Sequence, residues 1–248
     1  MSGGYKTNRI KKFTNNKFLK KIIKFIYPPM PTLNVMPKKI ISELQKEIFK
    51  KNKLILNVGS GDNLGSGYKL WKNISVNNYQ ITNLDIEDGP NVDVVGDAHN
   101  LQFKDSSFDV IISQATIEHL HSPIDAINEF YRVLKPGGIL YAEVPFLQGF
   151  HADPHDFQRY TIEGLRVLFS DFKELKSGVS VGPFCSLVWL IRDGLSSCFK
   201  NKYLYLSSRF FFGWILSPLR YFDYLIRNNN VSIRLANEFY FFCTKEYK

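Results

Sequence analysis

The stretch KLILNVGSGDN, residues 53–63, decides the fold. Leu54, Ile55, Leu56 and Val58 make a short apolar run that stops at Gly59-Ser60-Gly61. A run of that length bounded by glycine predicts a buried strand of a parallel sheet. Gly59 and Gly61 then permit a sharp turn and let the backbone approach a ligand with no Cβ between. In open α/β sheets, nucleotide-like ligands bind just past the carboxyl end of such a strand. The spacing does not fit a dinucleotide fingerprint, because Leu64 stands where the third glycine belongs and Gly65 comes one residue late. No Gly-Lys-Ser/Thr follows for a phosphate loop either. On these residues alone, a ligand-free strand-to-helix turn is the better reading.

The chain on either side supplies more strands. ITNLDI (81–86) is a second apolar strand, with Asp85 at about the spacing where a carboxylate meets ribose hydroxyls. A third strand at 92–95 sets Asp97 and Ala98 just beyond it, and FDVIIS (108–113) reads as a fourth in mid-sheet. Ser122 and Pro123 mark a helix start. Ile124, Ile127, Tyr131 and Leu134 form its expected buried stripe, and KPGG (135–138) its stop. ILYAEV (139–144) is the fifth strand. Thr161 caps a short helix that offers Leu165, Val167 and Leu168 for packing. ELKSGVSV alternates as a sixth strand, 185–199 and 203–227 read as two helices, and EFYFFCT (238–244) is β-rich. Before the glycine loop, Pro37 opens a helix with Ile40, Ile41, Leu44, Ile48 and Phe49 on one face. After the loop, Gly65 and Gly67 weaken the helix expected over 64–76.

In this order the motifs resemble the class I S-adenosylmethionine-dependent methyltransferases, especially the type-11 group, over roughly residues 54–172. The resemblance implies a Rossmann-like, doubly wound α/β fold. Its seven-stranded sheet would take the last strand antiparallel between the fifth and sixth, with a helical C-terminal insertion over 184–230. It implies S-adenosylmethionine as cofactor, with Gly59 and Gly61 beneath its methionine part, Asp85 on the ribose, and Asp97 and Ala98 by the adenine. Ser113 and Gln114 would border the methionine end. Asn57 and Asn63 stand where the group often has an acid and a third glycine. Asn57 can hydrogen-bond but cannot offset an ammonium charge.

Composition sets outer bounds. A chain of 248 residues, 44% hydrophobic, can bury one full core. Its formal charge of +9 is uneven, because Lys6, Arg9, Lys11, Lys12, Lys17, Lys20, Lys21 and Lys24 all precede the first acid, Glu43. Residues 1–37 therefore read as a basic arm and 38–248 as the domain. Cys185, Cys198 and Cys243 have no metal spacing and suit a reducing cytosol. Neither a secretory signal nor a spanning apolar run is expected, which points to a cytoplasmic protein.

HADPHDFQRY (151–160) directly follows the fifth strand and should overhang the acceptor side. His151 and His155 are the candidate general bases. Asp153, Asp156, Arg159 and Tyr160, with His119 from EHLH (118–121), are candidate acceptor contacts. Pairing of Asp156 with Arg159 to brace the loop is an alternative to base catalysis. No metal is assigned, because the local spacing matches no zinc pattern. Between 184 and 227, aromatics alternate with Arg192, Lys200, Lys202, Arg209, Arg220 and Arg227. This fits a helical lid, a homodimer face, or an interfacial pair on the inner face of an anionic membrane. Stacking on single-stranded RNA is less favoured. The acceptor expected is a small molecule or a lipid- or sugar-linked intermediate, methylated on oxygen. An RNA methyltransferase and a non-catalytic binding module are the rivals.

Overall fold

A computed structural model describes residues 27–50, 52–61, 80–152 and 155–247. The basic stretch through Lys24, the segment 64–76, Asn63 and Asp153 lie outside the described residues.

β1 (Leu54–Val58) alternates between two cores, because successive side chains leave opposite faces of a sheet. Leu56 and Val58 join Ile111, Phe130, Leu140 and Phe241 on one face. Ile55 joins Leu44, Ile48, Val110, Ile112 and Tyr141 on the other. Both faces are covered, as a mostly parallel sheet requires. β1 pairs in parallel with β2 (Gln80–Asp85) and with β4 (Phe108–Gln114). β3 (Val94–Val95) extends β2, and β5 (Leu134–Pro145) lies beside β4. β7 (Glu238–Thr244) inserts antiparallel between β5 and β6 (Lys173–Val181), giving the order β3-β2-β1-β4-β5-β7-β6. The order reverses between β1 and β4, so their carboxyl ends open a crevice.

α1 (Lys38–Ile48) buries Ile41, Leu44 and Ile48 against the β1 face, as its spacing predicts. α2 (Pro123–Val133) departs from its expected stripe. It buries Pro123, Ala126, Ile127, Phe130 and Val133, while Ile124 is 67% exposed. Ser122 holds the N-cap position without a side-chain cap bond. The helix stops at Val133, but 134–138 do not form a loop. They already belong to β5, where the Gly137 amide donates to Lys245 O at 2.7 Å and Gly138 O accepts from Lys245 N. α3 (Ile162–Leu168) is capped by Thr161, whose hydroxyl accepts the Gly164 amide; Leu165 is buried and Val167 is exposed.

The insertion comprises α4 (Pro183–Ser197) and α5 (Lys202–Leu216), and the second expected helix is cut short near Pro218. Proline lacks the amide that would continue the ladder, and a 3-10 turn (Ser217–Phe222) and a short α6 (Asp223–Ile226) follow. Asp223, fully buried, accepts the Phe184 and Cys185 amides and so tethers α6 to the start of α4. Residues 27–37 pack on this unit. Val35 N donates to Ser180 O, Arg220 donates to Met30 O, and Val35 and Met36 are buried. The arm boundary at 37 therefore falls inside the packed domain. No helix among the described residues is long and apolar enough to cross a membrane.

Candidate active site

The turn after β1 is held by β2. Gly59 and Gly61 take φ of +70° and +55°, the left-handed region that favours glycine. The Gly59 and Ser60 amides both donate to Leu84 O, and the Gly61 amide donates to Asp85 Oδ2 at 2.8 Å. Asp85 Oδ1 accepts the Glu87 amide, and each carboxylate oxygen keeps a second lone pair. No described residue lies within 4 Å of where a Cβ on Gly61 would stand. Two hydroxyls beside this crevice, Ser60 Oγ and Ser113 Oγ, are buried without a hydrogen-bond partner. Among the described residues, a cradle with open space over Gly61, carboxylate lone pairs to spare and unpaired hydroxyls suits a polar cofactor such as S-adenosylmethionine. Asn57 is buried and donates to Asn83 Oδ1 at 3.0 Å; Asn83 in turn donates to Asp93 Oδ2. Neither Asn83 nor Asp93 is singled out by the sequence.

Asp97 and Ala98 follow β3. Asp97 Oδ1 accepts both the backbone amide and Nδ1–H of His99. Burial raises the Asp97 pKa, but these bonds outweigh it and hold the carboxyl below its usual range. His99 Nε2 accepts the Ser122 amide at 3.3 Å, which assigns the ring proton to Nδ1. The His99 ring lies 4.1 Å from that of His121, so the loop carrying Asp97 is fastened to the entry of α2.

Past β4 and β5 the site becomes acidic and buried. Gln114 Nε2 and the Tyr141 hydroxyl both donate to Glu143 Oε1, at 2.8 and 2.6 Å. Burial pushes the Glu143 carboxyl up, and pushes Glu238 much further because Glu143 and Glu118 face it. Glu118 is fully buried in the 3-10 turn Ile117–His119, and neither of its carboxylate oxygens has a hydrogen-bond partner. His119 Nε2 and His151 Nε2 each lie 3.7 Å from Glu118 Oε1. Their rings meet edge to face at 5.3 Å. His119 Nδ1 bonds to His155 O, and His151 Nδ1 bonds to Gly149 O at 2.9 Å. For His151, burial lowers the pKa, but Glu118, the Gly149 carbonyl and Asp156 outweigh it and raise the value overall.

The 148–160 loop is braced by Arg159. It pairs with Asp156, almost fully buried, and donates to the Gln148, Gly149 and Gln158 carbonyls. Burial raises Asp156, while Arg159 and the His151 amide outweigh that and hold it low. The Tyr160 hydroxyl bonds to Gln158 Oε1, and its amide to Pro145 O. The structure thus brings His119 and His151 together and leaves the His155 ring exposed against Phe157. Glu118, Glu143 and Glu238 are the members that the sequence does not reveal as a group. For Glu143 and Glu238 the available signal is a charged residue within, or at the start of, an otherwise apolar strand; Glu118, in a turn, has none.

The methyltransferase-domain family model matches residues 56–142, from β1 into β5. A ubiquinone/menaquinone biosynthesis C-methyltransferase of Ruegeria sp. (strain TM1040) is 53% identical over 47 residues, 19% of each chain. A malonyl-acyl-carrier-protein O-methyltransferase of Marinomonas sp. (strain MWYL1) is 44% identical over 45 residues, 18% of this chain and 17% of that one. The matched stretches thus span under a fifth of these relatives. Among solved structures, the 4+2 cyclase SpnF superposes with a TM-score of 0.53 at 15% identity, over 85% of this chain and 81% of that one. A phosphoethanolamine N-methyltransferase of Haemonchus contortus in complex with S-adenosyl-L-methionine gives 0.50 at 14% identity, over 97% of this chain and 60% of that one. A cyclase on the same scaffold shows that the fold alone does not name the reaction. By its family model and its strand order together, the chain carries the methyltransferase-domain signature on the fold of the class I S-adenosylmethionine-dependent methyltransferases.

Proposed function

We propose that the protein transfers a methyl group from S-adenosylmethionine to an oxygen of a small molecule or of a lipid- or sugar-linked intermediate. The reading is carried by the Gly59–Gly61 turn pinned to Asp85, with no described residue over Gly61. The cofactor supplies a methyl group already activated on a positively charged sulfur. The protein's part is then alignment of donor and acceptor. Gly59 and Gly61 give close backbone approach, the free lone pairs of Asp85 suit ribose hydroxyls, and Asp97 with Ala98 borders the base. Ser60, Ser113 and Gln114 supply polar contacts near the methionine end, and Asn57 lies behind them. The acceptor is assigned to the other side, over Glu118, His119 and His151, inside the loop that Asp156, Arg159 and Tyr160 stiffen. His151 and His119, which turn Nε2 toward Glu118, are the proton-handling candidates. His155 contributes its carbonyl to His119, and its ring borders the mouth.

Titration calorimetry with S-adenosylmethionine, followed by radiolabel transfer into sugar, lipid and RNA fractions, tests this reading. Micromolar binding with label in the sugar or lipid fraction is expected. No binding at millimolar cofactor would leave a non-catalytic module, which the engagement of Asn57 with Asn83 favours. Label confined to RNA would replace the acceptor class.

The insertion supports a location at a membrane surface, on its cytoplasmic face. α5 buries only Gly213, while Leu204, Phe211, Trp214 and Ile215 are exposed. A lid closed on the sheet would bury these side chains. An interfacial helix, or a second copy of the chain, would cover them instead.

A further inference from the structure

We propose that Glu118, His119 and His151 form a binding site for a divalent transition metal ion. One ligand atom from each residue lies within 4.8 Å of the others, and the two Glu118–histidine separations are both 3.7 Å. That is too long for a hydrogen bond. It is within about half an ångström of the donor–donor edge of a tetrahedral zinc site with bonds of roughly 2.1 Å. Small side-chain rotations close the difference.

Two further observations point to a cation. First, the Glu118 carboxylate is fully buried and, among the described residues, neither oxygen has a hydrogen-bond partner; the groups that face it are the two imidazoles at 3.7 Å, and an ion between them would complete it. Second, both imidazoles are already oriented as ligands. Each places Nδ1 on a backbone carbonyl, His155 O or Gly149 O, which leaves the Nε2 lone pair facing Glu118. Carbonyls in this role fix the tautomer and aim of metal-bound histidines. Arg159 does not compete for that lone pair. Its Nη2 also lies 3.2 Å from His151 Nδ1, but the two Nη2 hydrogens have Asp156 Oδ2 at 2.6 Å and Gly149 O at 3.2 Å as acceptors, which leaves Nδ1 to donate its own proton to Gly149 O.

Two histidines and one carboxylate are the donor set of an open metal site, with positions left for water or a substrate oxygen. The site stands on its own geometry. Its use, holding the acceptor's oxygen in place of proton handling by the two histidines, rests on the methyltransferase reading. The pairing is invisible in local spacing, because Glu118 and His119 come from the turn after β4 and His151 from the loop after β5.

The full chain, dialysed against zinc and then against metal-free buffer, should retain about one ion per chain by mass spectrometry. Cobalt in its place should give visible absorption bands. Glu118→Gln and His151→Gln should each weaken retention by roughly 100-fold or more, whereas His155→Ala, which keeps its carbonyl, should retain the ion. Zinc should also raise the thermal midpoint of the unsubstituted protein, a readout that no variant's folding can confound. A wild type that retains no zinc and shows no thermal shift overturns the site. So does retention by both variants equal to wild type, which would place the ion elsewhere, for example on exposed Cys198. Cofactor titration is read separately. Zinc retained without S-adenosylmethionine binding would sink the methyltransferase reading and leave the metal site standing.

Discussion

The side chain of Thr116 occupies the space where a Cβ on Gly59 would stand. Thr116 Oγ1 reaches the Val58 and Gln114 carbonyls, so the residue joins the ends of β1 and β4 beneath the glycine turn. Gly61 has the same left-handed backbone but nothing within 4 Å of its Cβ position. Two alanine substitutions should therefore separate two effects. Gly61→Ala meets only the left-handed strain, about 1–2 kcal/mol. Gly59→Ala adds a collision with Thr116 and should lose clearly more stability in urea unfolding. Equal losses would mean that Thr116 yields freely.

Asp85 is pinned by two backbone amides before any ligand arrives, which sets its direction at the mouth of the crevice. Asp85→Ala should weaken S-adenosylmethionine by roughly 1–3 kcal/mol, the range for removing a charged acceptor. Part of that loss comes from a looser Gly61 amide. Unchanged affinity in titration calorimetry would remove Asp85 from the ribose role and leave it as a brace.

Acid should loosen the loop that carries Asp97. Glu129 on α2 accepts the Leu101 amide and two bonds from Arg132, which also holds the Leu101 and Phe103 carbonyls. The Arg132 bonds outweigh burial and hold the Glu129 carboxyl below its usual range. A carboxyl lowered on folding stabilises fully above its unfolded pKa, near pH 4.3. That contribution is lost as pH falls through the folded value. Glu129→Gln should cost roughly 1–3 kcal/mol at pH 7. The gap from wild type should shrink below about pH 4. A gap constant down to pH 3 would assign the effect to packing.

What could be read in the sequence divides along physical lines. The strands bounded by glycine or proline are legible, because punctuation and apolar runs are local signals. The α2 stripe is not, because it turns on Ala126 and Phe130, whereas the equally apolar Ile124 faces out. A shift of one position rotates a helix face by about 100°. The KPGG stop is right for the helix and silent about β5, whose first residues are ordered by Lys245 at the far end of the chain. The crevice beside Gly61 follows from the motif order. The meeting of Glu118, His119 and His151 does not, since it depends on two loops that share no sequence pattern.

The exposed face of α5 gives the last prediction. Leu204, Phe211 and Ile215, at helical spacing, share one side, and Phe211 and Trp214 adjoin. Each such side chain gains about 1.5–3 kcal/mol when fully buried. The basic residues of the insertion contribute less than their number suggests. Arg192 and Arg209 pair with Asp193, and Arg220 is buried on Met30 O. Lys200, Lys202 and Arg227 are exposed, and each adds about 1 kcal/mol near an anionic surface. Binding to anionic vesicles should therefore exceed binding to neutral ones, fall with salt, and keep an apolar remainder at high salt. Phe211→Ser and Trp214→Ser should each lower that remainder, and Phe211→Ser should do so with little change in the thermal midpoint, because its side chain is 58% exposed. A protein that stays in the supernatant with anionic vesicles at low salt, yet sediments as a dimer that Trp214→Ser dissociates, would assign the same face to a second copy of the chain.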